Sequence, residues 1–433
     1  MLINIMRLAI ILLTYDGVVS WYCGVGSITQ YFIHSMPEVI SRSKPGVDIS
    51  FFVGIPFTGK DCLGYREGLV DGVKVVVEKT GGRLLFFSDD SDGISQYGGP
   101  AQWEAASVGG ASVVLNLLDR FDKIIIFAFD TPYCKVGELI CNQLSDYPGE
   151  NPVVIWVPHS TGLIHEIKTL PHSSERYAWE LAAITASKKH ESCYVGYINR
   201  FMKNHLMAHF KADEAKMLPL INGVVPVVAK SPNLPKWMPN KRVVFSCGRA
   251  EAYKGFEKLI KAFAKSQREH GTHLLINVST STSYAPVFEK LLKLMDELKV
   301  RGKIINEFLS MEDHLAAMTS RNVRAVVVPS LGEPFGLVPE EARLYGKQDC
   351  PVIIASDVDG LSEQICTGVD GFLVDVCNED EFAKIITKVL SLDNEQRKRL
   401  AVNGLERLKQ SYNYPENVVT CIASLPGLEE VFD

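Results

Sequence analysis

Short apolar runs alternate with longer amphipathic segments along this chain. The runs are rich in Val and Ile, which is typical of strands that are buried on both faces of a parallel sheet. Most of them precede a segment whose apolar residues recur three or four positions apart, as on one face of a helix. The alternation predicts an α/β fold with parallel sheets. The predicted strands include residues 6–13, 47–53, 123–129, 152–157, 242–247, 273–278 and 325–328.

The chain length predicts two domains. Its 433 residues exceed what one hydrophobic core usually organises and suit two domains of about 200 residues each. Residues 231–239 are rich in proline and have no periodicity, which is typical of a linker. We therefore predict a first domain over 1–228, a linker over 229–241, a second domain over 242–411 and a C-terminal segment over 412–433.

The composition is that of a soluble globular protein, with 46% hydrophobic and 22% charged residues. The net charge of −6 argues against an extended nucleic-acid-binding surface. The ten cysteines form no Cys-x-x-Cys pair, which favours reduced thiols and a cytoplasmic location. The apolar run of residues 6–13 is short and lacks a cleavage site, so it predicts a strand rather than a signal peptide. No apolar stretch reaches the length of a membrane span.

The segment 329–341 carries the clearest chemical signal. It follows the buried strand predicted at 325–328, turns at Gly336 and continues as a helix. A helix that starts after a Gly-containing turn offers free backbone N–H groups to an anionic ligand. Glu333 and Glu341 flank the turn, and carboxylates beside an anion site are better placed to accept hydrogen bonds from sugar or ribose hydroxyls.

The pair Glu333-x7-Glu341 and the residues between resemble the signature of retaining GT-B glycosyltransferases related to glycogen, sucrose and sucrose-phosphate synthases. The resemblance implies two Rossmann-like domains that face a central interdomain cleft, with the C-terminal segment crossing back to the first domain. It implies that Glu333 lies by the donor sugar and that Glu341 binds the nucleotide ribose. The backbone at Gly336 and Leu337 would meet the phosphates.

A second string, Gly-Arg-x4-Lys-Gly at residues 248–255, matches the same family. Its Arg and Lys, here Arg249 and Lys254, grip the diphosphate of the nucleotide sugar in that family. The chemistry agrees, because a departing diphosphate gains negative charge that two fixed cations stabilise. Such cations can take the place of a metal ion. The alternative, two ordinary surface cations at a helix start, is disfavoured because they would oppose the helix dipole.

Weaker matches lie in other segments. His159 follows the strand at 152–157, and its His-Ser-Thr-Gly context resembles a segment of sucrose-phosphate synthases whose His touches the donor sugar. Gly26 lies in a predicted loop that faces the donor phosphates and the acceptor in the family. Phe308 falls in the region that packs the base, where a core Phe is an equal alternative. A His after a strand is often structural. Asp130 follows the strand at 123–129, where ligands bind in open α/β sheets, and a helix cap is the alternative.

Three other motifs match known phosphate-binding or metal-binding patterns only in part. Residues 54–61 almost spell a P-loop, but Asp61 replaces the hydroxyl that ligates Mg²⁺ and Pro56 removes a backbone N–H. Two Asp-x-Asp pairs, at 90–92 and 357–359, lie in turn-rich contexts. We therefore assign no metal site and no cofactor.

These observations predict a retaining hexosyltransferase that moves a sugar from a nucleoside-diphosphate donor to an acceptor hydroxyl. No enzymic nucleophile stands out, and the resemblance implies a metal-independent front-face reaction in which the departing phosphate takes the acceptor proton. The proposed catalytic residues are Glu333, His159, Arg249 and Lys254. A pseudo-glycosyltransferase that joins a cyclitol to an amine, and a non-catalytic nucleotide-sugar-binding protein, are the alternatives. The sequence leaves the nucleotide base, the acceptor and the oligomeric state open.

Overall fold

A computed structural model describes residues 5–90, 97–166, 174–227, 234–266, 271–279, 285–307 and 309–432. The chain divides into two compact units. The first comprises Met1–Val227 and Asn413–Asp433, and the second comprises Val228–Tyr412. Among the described helices, none combines the length and the apolar character required to cross a lipid bilayer.

The first unit is built on a parallel sheet of seven described strands in the order β3-β2-β1-β4-β5-β6-β7. Its strands are β1 Met6–Leu13, β2 Val47–Pro56, β3 Leu84–Phe87, β4 Lys123–Phe129, β5 Val153–Val157, β6 Cys193–Tyr197 and β7 Met217–Pro219. Its first seven helices are α1 Gly24–Ser41, α2 Leu69–Lys79, α3 Pro100–Leu115, α4 Val136–Gln143, α5 Gly162–Glu166, α6 Ser174–Lys189 and α7 Arg200–Phe210.

The centre of this sheet explains the continuous apolar runs in the sequence. From Leu8 to Leu13 every residue of β1 is fully buried, because the strand is covered on both faces. β1 pairs with β2 on one side and with β4 on the other, both in parallel. The strand order reverses between β1 and β4, and in open α/β sheets ligands bind beyond the carboxyl ends of the strands at such a point.

The second unit repeats this plan with a parallel sheet of six described strands in the order β10-β9-β8-β11-β12-β13. Its order reverses between β8 and β11. The strands are β8 Val243–Arg249, β9 His273–Ser279, β10 Gly302–Asn306, β11 Val323–Val328, β12 Val352–Ser356 and β13 Phe372–Val374. The helices are α8 Phe256–Ser266, α9 Ala285–Glu297, α10 Met311–Met318, α11 Val338–Gly346, α12 Leu361–Gln364, α13 Glu379–Ser391 and α14 Asn394–Ser411.

The chain ends in helix α15, Tyr414–Ala423, which packs within the first unit. The buried ring of Tyr414 lies 6.0 Å from that of Phe32 on α1. The amide Nδ2 of Asn417 donates to the carbonyl of Ile221 over 3.0 Å. The C-terminal segment therefore packs against the core of the first unit. The prediction of an α/β fold with parallel sheets is confirmed.

Candidate functional site

Two loops meet at the point where the strand order of the second unit reverses. One follows β8 and holds Tyr253 and Gly255, and the other follows β11 and begins at Pro329. The backbone N–H of Leu331 donates to the carbonyl of Tyr253 over 2.6 Å. A Cβ on Gly255 would stand 1.8 Å from the carbonyl oxygen of Pro329, and Gly255 has a φ of +69°. Only glycine therefore allows these two loops to approach so closely.

The two loops are joined by an ion pair between the motifs predicted from the sequence. The Nζ of Lys254 lies 2.6 Å from Oε2 of Glu333, and the two side chains are only 18% and 15% exposed. The hydroxyl of Ser330 donates to the same carboxylate oxygen over 3.1 Å. The structure thus brings together a predicted phosphate-binding cation and the predicted sugar-facing acid.

The backbone of Glu333 is held by a third loop, which follows β12. Its N–H donates to Oδ2 of Asp359 over 2.9 Å. Its carbonyl accepts a hydrogen bond of 3.1 Å from the N–H of Gly360. In the sequence, Asp359 belongs to an Asp-x-Asp pair to which no metal site was assigned. The separation of 26 residues between the two acids concealed their contact.

The other predicted cation, Arg249, is oriented within its own loop. Its guanidinium donates to the hydroxyl of Tyr253 over 2.7 Å and lies 3.2 Å from Oε1 of Glu251. Burial, the largest cause, raises the pKa of the Tyr253 hydroxyl, which therefore stays protonated. The Arg249 side chain is 37% exposed. Arg249 is thus held in one direction and still reaches the surface of the unit.

The predicted ribose and phosphate contacts lie at the start of α11. Leu337 directly precedes this helix, and its carbonyl accepts from the N–H of Glu341 over 2.9 Å. Gly336 has a φ of +87°, and a Cβ there would stand 2.6 Å from Cδ2 of Leu361. The backbone turn that delivers the helix N-terminus therefore depends on a glycine.

Glu341 is buried and faces groups that the sequence did not associate with it. Its Oε2 lies 3.9 Å from Nε2 of His314 on α10. Burial, followed by the charge of Glu341, raises the pKa of the Cys247 thiol to about 12. His314 gave no signal in the sequence, because α10 and α11 are separated by β11. This contact comes only from the fold.

The neighbouring Glu340 has a different environment. It is fully buried and pairs with Nη1 of Arg343 over 2.7 Å, and Nη2 of Arg343 lies 3.4 Å from Asp370. Burial raises the pKa of Glu340 to about 7, although Arg343 lowers it in part. This network anchors α11 to the interior of the unit. Of the two adjacent acids, Glu340 therefore fixes the helix by pairing with Arg343, and Glu341 faces His314.

In the first unit, the Gly-containing segment differs from its prediction. Gly26 lies inside the first turn of α1, which begins at Gly24, rather than in a loop. The helix starts this early because the buried carboxylate of Asp16 accepts from the N–H groups of Tyr22 and Cys23 over 3.3 and 3.1 Å. A Cβ on Gly26 would stand 2.4 Å from Oδ2 of Asp16. The glycine therefore allows this close packing of α1 on Asp16.

His159 follows β5 and is buried with its ring edge against Phe129, at a centroid distance of 4.6 Å. Among the described residues neither ring nitrogen of His159 has a hydrogen-bond partner. Burial lowers its pKa to about 3, so the imidazole is neutral at physiological pH. A buried polar group without a partner is uncommon and is a reason to consider a ligand.

Asp130 lies at the end of β4, and the alternative that it caps a helix is wrong. Its backbone has a φ of 66° and a ψ of −171°, a conformation that is almost confined to glycine, and its side chain makes no cap hydrogen bond. One carboxylate oxygen accepts from the hydroxyl of Tyr15 over 3.1 Å. Burial, the largest cause, raises its pKa. Such strain at the reversal point of a sheet is typical of a ligand-binding edge.

A buried acid fixes the loop that carries His159. Glu180 on α6 accepts from the N–H of Gly162 over 3.1 Å and from Nε of Arg176 over 2.8 Å. Burial raises the pKa of Glu180 to about 7, against the opposing effect of Arg176. The sequence showed these charges on one helix but did not reveal the contact with the loop after β5.

The remaining predicted positions give no structural test. Phe308 and Asp92 lie outside the described residues. Within the described ranges, no group of three or more His, Cys, Asp or Glu side chains is arranged to hold a metal ion. The assignment of no metal and no cofactor stays a prediction.

Two Rossmann-like units, each built on a parallel sheet whose strand order reverses once, are typical of the GT-B fold. Comparison with solved structures supports the same class. Sucrose-phosphate synthase from Thermosynechococcus elongatus superposes with a TM-score of 0.67 at 18% identity and covers 96% of each chain. Anabaena HepE, solved with UDP and glucose, gives a TM-score of 0.66 at 16% identity over 96% of this chain and all of its own.

Sequence comparison then identifies the family of the second unit. Residues 230–407 match the family model described as glycosyl transferases group 1. The uncharacterized glycosyltransferase MJ1607 of Methanocaldococcus jannaschii is 28% identical over 286 residues, which are 60% of this chain and 70% of that protein. The chain therefore contains a glycosyl transferases group 1 domain and has the GT-B fold. The resemblance to GT-B glycosyltransferases that Glu333 and Glu341 indicated is confirmed, and retention of the anomeric configuration stays a prediction.

Proposed function

We propose that this protein is a retaining glycosyltransferase that moves a sugar from a nucleoside-diphosphate-sugar to an acceptor hydroxyl. The observation that carries the proposal is the ion pair of Lys254 and Glu333 beside the glycine turn that starts α11. The acid of this pair lies against the turn, because a Cβ on Gly336 would stand 3.0 Å from Cγ of Glu333, so a cation, an acid and a helix N-terminus lie in one small region of the second unit. A nucleotide sugar needs these three kinds of group for its phosphates and its hydroxyls.

The donor has a plausible partner for each of its parts. Its diphosphate would bind Arg249 and Lys254 together with the backbone N–H groups at Gly336 and Leu337. Its ribose hydroxyls would donate to Glu341, which the helix start already fixes. In the structure Lys254 shares its charge with Glu333, and a bound diphosphate would become its second anionic partner.

The proposed chemistry relies on the fixed cations. As the bond to the diphosphate breaks, negative charge grows on the leaving oxygen, and Lys254 and Arg249 stabilise it without needing a metal ion. Glu333 would orient the donor sugar and support its oxocarbenium-like carbon. The acceptor hydroxyl would attack the anomeric carbon from the same face from which the diphosphate departs. An oxygen of the departing diphosphate would take the proton of the acceptor hydroxyl. This sequence of steps retains the anomeric configuration.

We propose that the first unit binds the acceptor at the carboxyl ends of its strands, where His159 and Asp130 lie. The neutral His159, whose ring nitrogens have no partner among the described residues, can donate or accept one hydrogen bond with a sugar hydroxyl. Asp130 offers a strained, buried carboxylate at the neighbouring strand end. We also propose a cytoplasmic location, because all ten cysteines are free thiols, including the exposed Cys366 and Cys377.

The first experiment is a thermal-shift panel with UDP, GDP, ADP and TDP, since a ligand that binds the folded state raises its apparent stability. UDP is the first candidate, because HepE was solved with it. The responding nucleotide is then supplied as its sugar, and slow hydrolysis is followed by release of the free diphosphate. We expect Lys254→Met to abolish hydrolysis. No thermal shift with any of the four nucleotides would contradict the proposal.

Retention, metal independence and the product class need separate measurements. The anomeric configuration of the first product formed is read by proton NMR, and an inverted product would contradict retention. Turnover that disappears with EDTA and returns with added Mg²⁺ would contradict metal independence. An amine-linked cyclitol product would indicate a pseudo-glycosyltransferase. Tight nucleotide binding without any hydrolysis or transfer would indicate a non-catalytic binding protein.

A further inference from the structure

Asp359 has a backbone conformation that its side chain disfavours. Its φ is +45°, in the left-handed region where glycine is usual. Glycine has no Cβ and adopts this conformation without strain. An aspartate here therefore replaces the residue that best suits the backbone, and a specific contact of its carboxylate explains why it is tolerated.

That contact is with the proposed sugar-binding acid. Oδ2 of Asp359 accepts from the N–H of Glu333 over 2.9 Å, and a hydrogen bond to a carboxylate is stronger than one between neutral groups. The next residue, Gly360, donates its N–H to the Glu333 carbonyl over 3.1 Å. Two consecutive residues of the loop after β12 therefore hold both backbone polar groups of Glu333.

The Glu333 side chain is held independently at its other end. Its Oε2 receives the Nζ of Lys254 over 2.6 Å and the hydroxyl of Ser330 over 3.1 Å. When a diphosphate shares the charge of Lys254, the side-chain restraint weakens while the backbone restraint from Asp359 stays. The direction of the carboxylate would then depend on the backbone contacts.

We propose that Asp359 is a positioning residue for sugar transfer, which holds Glu333 in the orientation needed at the reacting sugar. This inference rests on the proposed function, because it assumes that Glu333 faces the donor sugar. It assigns Asp359 no contact with substrate. Its effect is expected in kcat rather than in donor affinity, because orientation matters most in the transition state.

The test compares Asp359→Gly with Asp359→Asn in the full-length protein. The glycine variant relieves the left-handed strain and makes the unfolded chain more flexible, so its Tm should stay within about 2 °C of the parent. It removes the acceptor for the Glu333 N–H. We expect kcat to fall about tenfold or more with KM for the donor unchanged. The asparagine variant tolerates this backbone and keeps an acceptor oxygen, so kcat should stay within about threefold.

Hydrogen exchange gives a readout that does not depend on catalysis. The peptide that contains Glu333 should exchange faster in Asp359→Gly and at the parental rate in Asp359→Asn. Unchanged kcat and exchange in the glycine variant would overturn the inference, as would an asparagine variant as slow as the glycine one. A parent protein that turns over no nucleotide sugar would instead refute the proposed function, and this inference with it.

Discussion

Replacing Lys254 by methionine tests the proposed site most directly, because it removes the charge and keeps most of the side-chain volume. For unit charges 2.6 Å apart, an effective dielectric of about 20 gives an attraction of roughly 6 kcal/mol. The desolvation of both groups offsets much of this. We expect the unpaired Glu333 to cost about 2–3 kcal/mol, somewhat less than for a fully buried pair. For a unit of this size that lowers Tm by about 5–10 °C.

The catalytic effect should be larger than the effect on stability. Removing one group that stabilises developing negative charge typically lowers kcat about 10²- to 10³-fold. Lys261 provides a matched control in the same unit, because its Nζ pairs with Glu257 over 2.7 Å. Both of these side chains are about one-third exposed, at 35% and 33%, so Lys261→Met should cost only about 0.5 kcal/mol. It should leave kcat unchanged.

The assays are donor hydrolysis at 25 °C, where each variant is folded, and the thermal unfolding midpoint. A double variant, Lys254→Met with Glu333→Gln, separates the two effects, because it removes the unpaired charge without restoring the cation. We expect it to recover part of the lost Tm and none of the lost kcat. If Lys254→Met keeps its kcat within twofold of the parent, the reasoning about the diphosphate is wrong. If the double variant regains no Tm, the stability loss has a source other than Glu333.

Three further predictions concern other parts of the two units. Glu341→Gln should raise KM for the donor about tenfold with a smaller change in kcat, as measured by initial rates, since it weakens a contact to ribose in ground and transition state alike. Gly336→Ala should lower Tm by several degrees, because its φ of +87° is unfavourable for alanine and the new Cβ would stand 2.6 Å from Leu361. Burial raises the pKa of Glu180 to about 7. The folded protein therefore keeps a proton that the unfolded chain has lost, so this group's contribution to stability falls as pH rises from about 4.5 to 7. Glu180→Gln should flatten Tm against pH over that range, and an unchanged slope would contradict this account.

Local sequence patterns were sufficient to predict the parallel sheets and the two motif loops of the second unit. Strands buried on both faces have a continuous apolar signature, and the carboxyl ends of parallel strands share one edge of a sheet. Lys254 and Glu333 follow two such strands directly, so the strand order alone brings them near each other. The sequence did not predict the ion pair itself, which depends on β8 and β11 being neighbours in the sheet.

Contacts between loops of distant sequence were not predictable in this way. Gly26 was expected in a loop because a glycine pair favours loops, yet Asp16 accepts from the N–H of Cys23, the residue before α1, and the helix already begins at Gly24. His314 meets Glu341 only because α10 and α11 lie side by side. Asp130 has an ordinary residue type in an unusual backbone conformation, and no composition or periodicity signals a φ value.

The acids around Lys254 explain why orientation, rather than net charge, must select the donor. Glu333 places one negative charge 2.6 Å from Lys254, Asp359 places a second at the backbone of Glu333, and the whole chain has a net charge of −6, so the long-range field does not favour an anion. A diphosphate can bind only where N–H groups and cations point at it while carboxylates point elsewhere. The hydrogen bond from the Glu333 N–H meets this condition for Asp359, because it gives the Asp359 carboxylate a fixed partner on the backbone of Glu333. The acidity of the loops is therefore compatible with anion binding, provided that each carboxylate has a fixed hydrogen-bond partner.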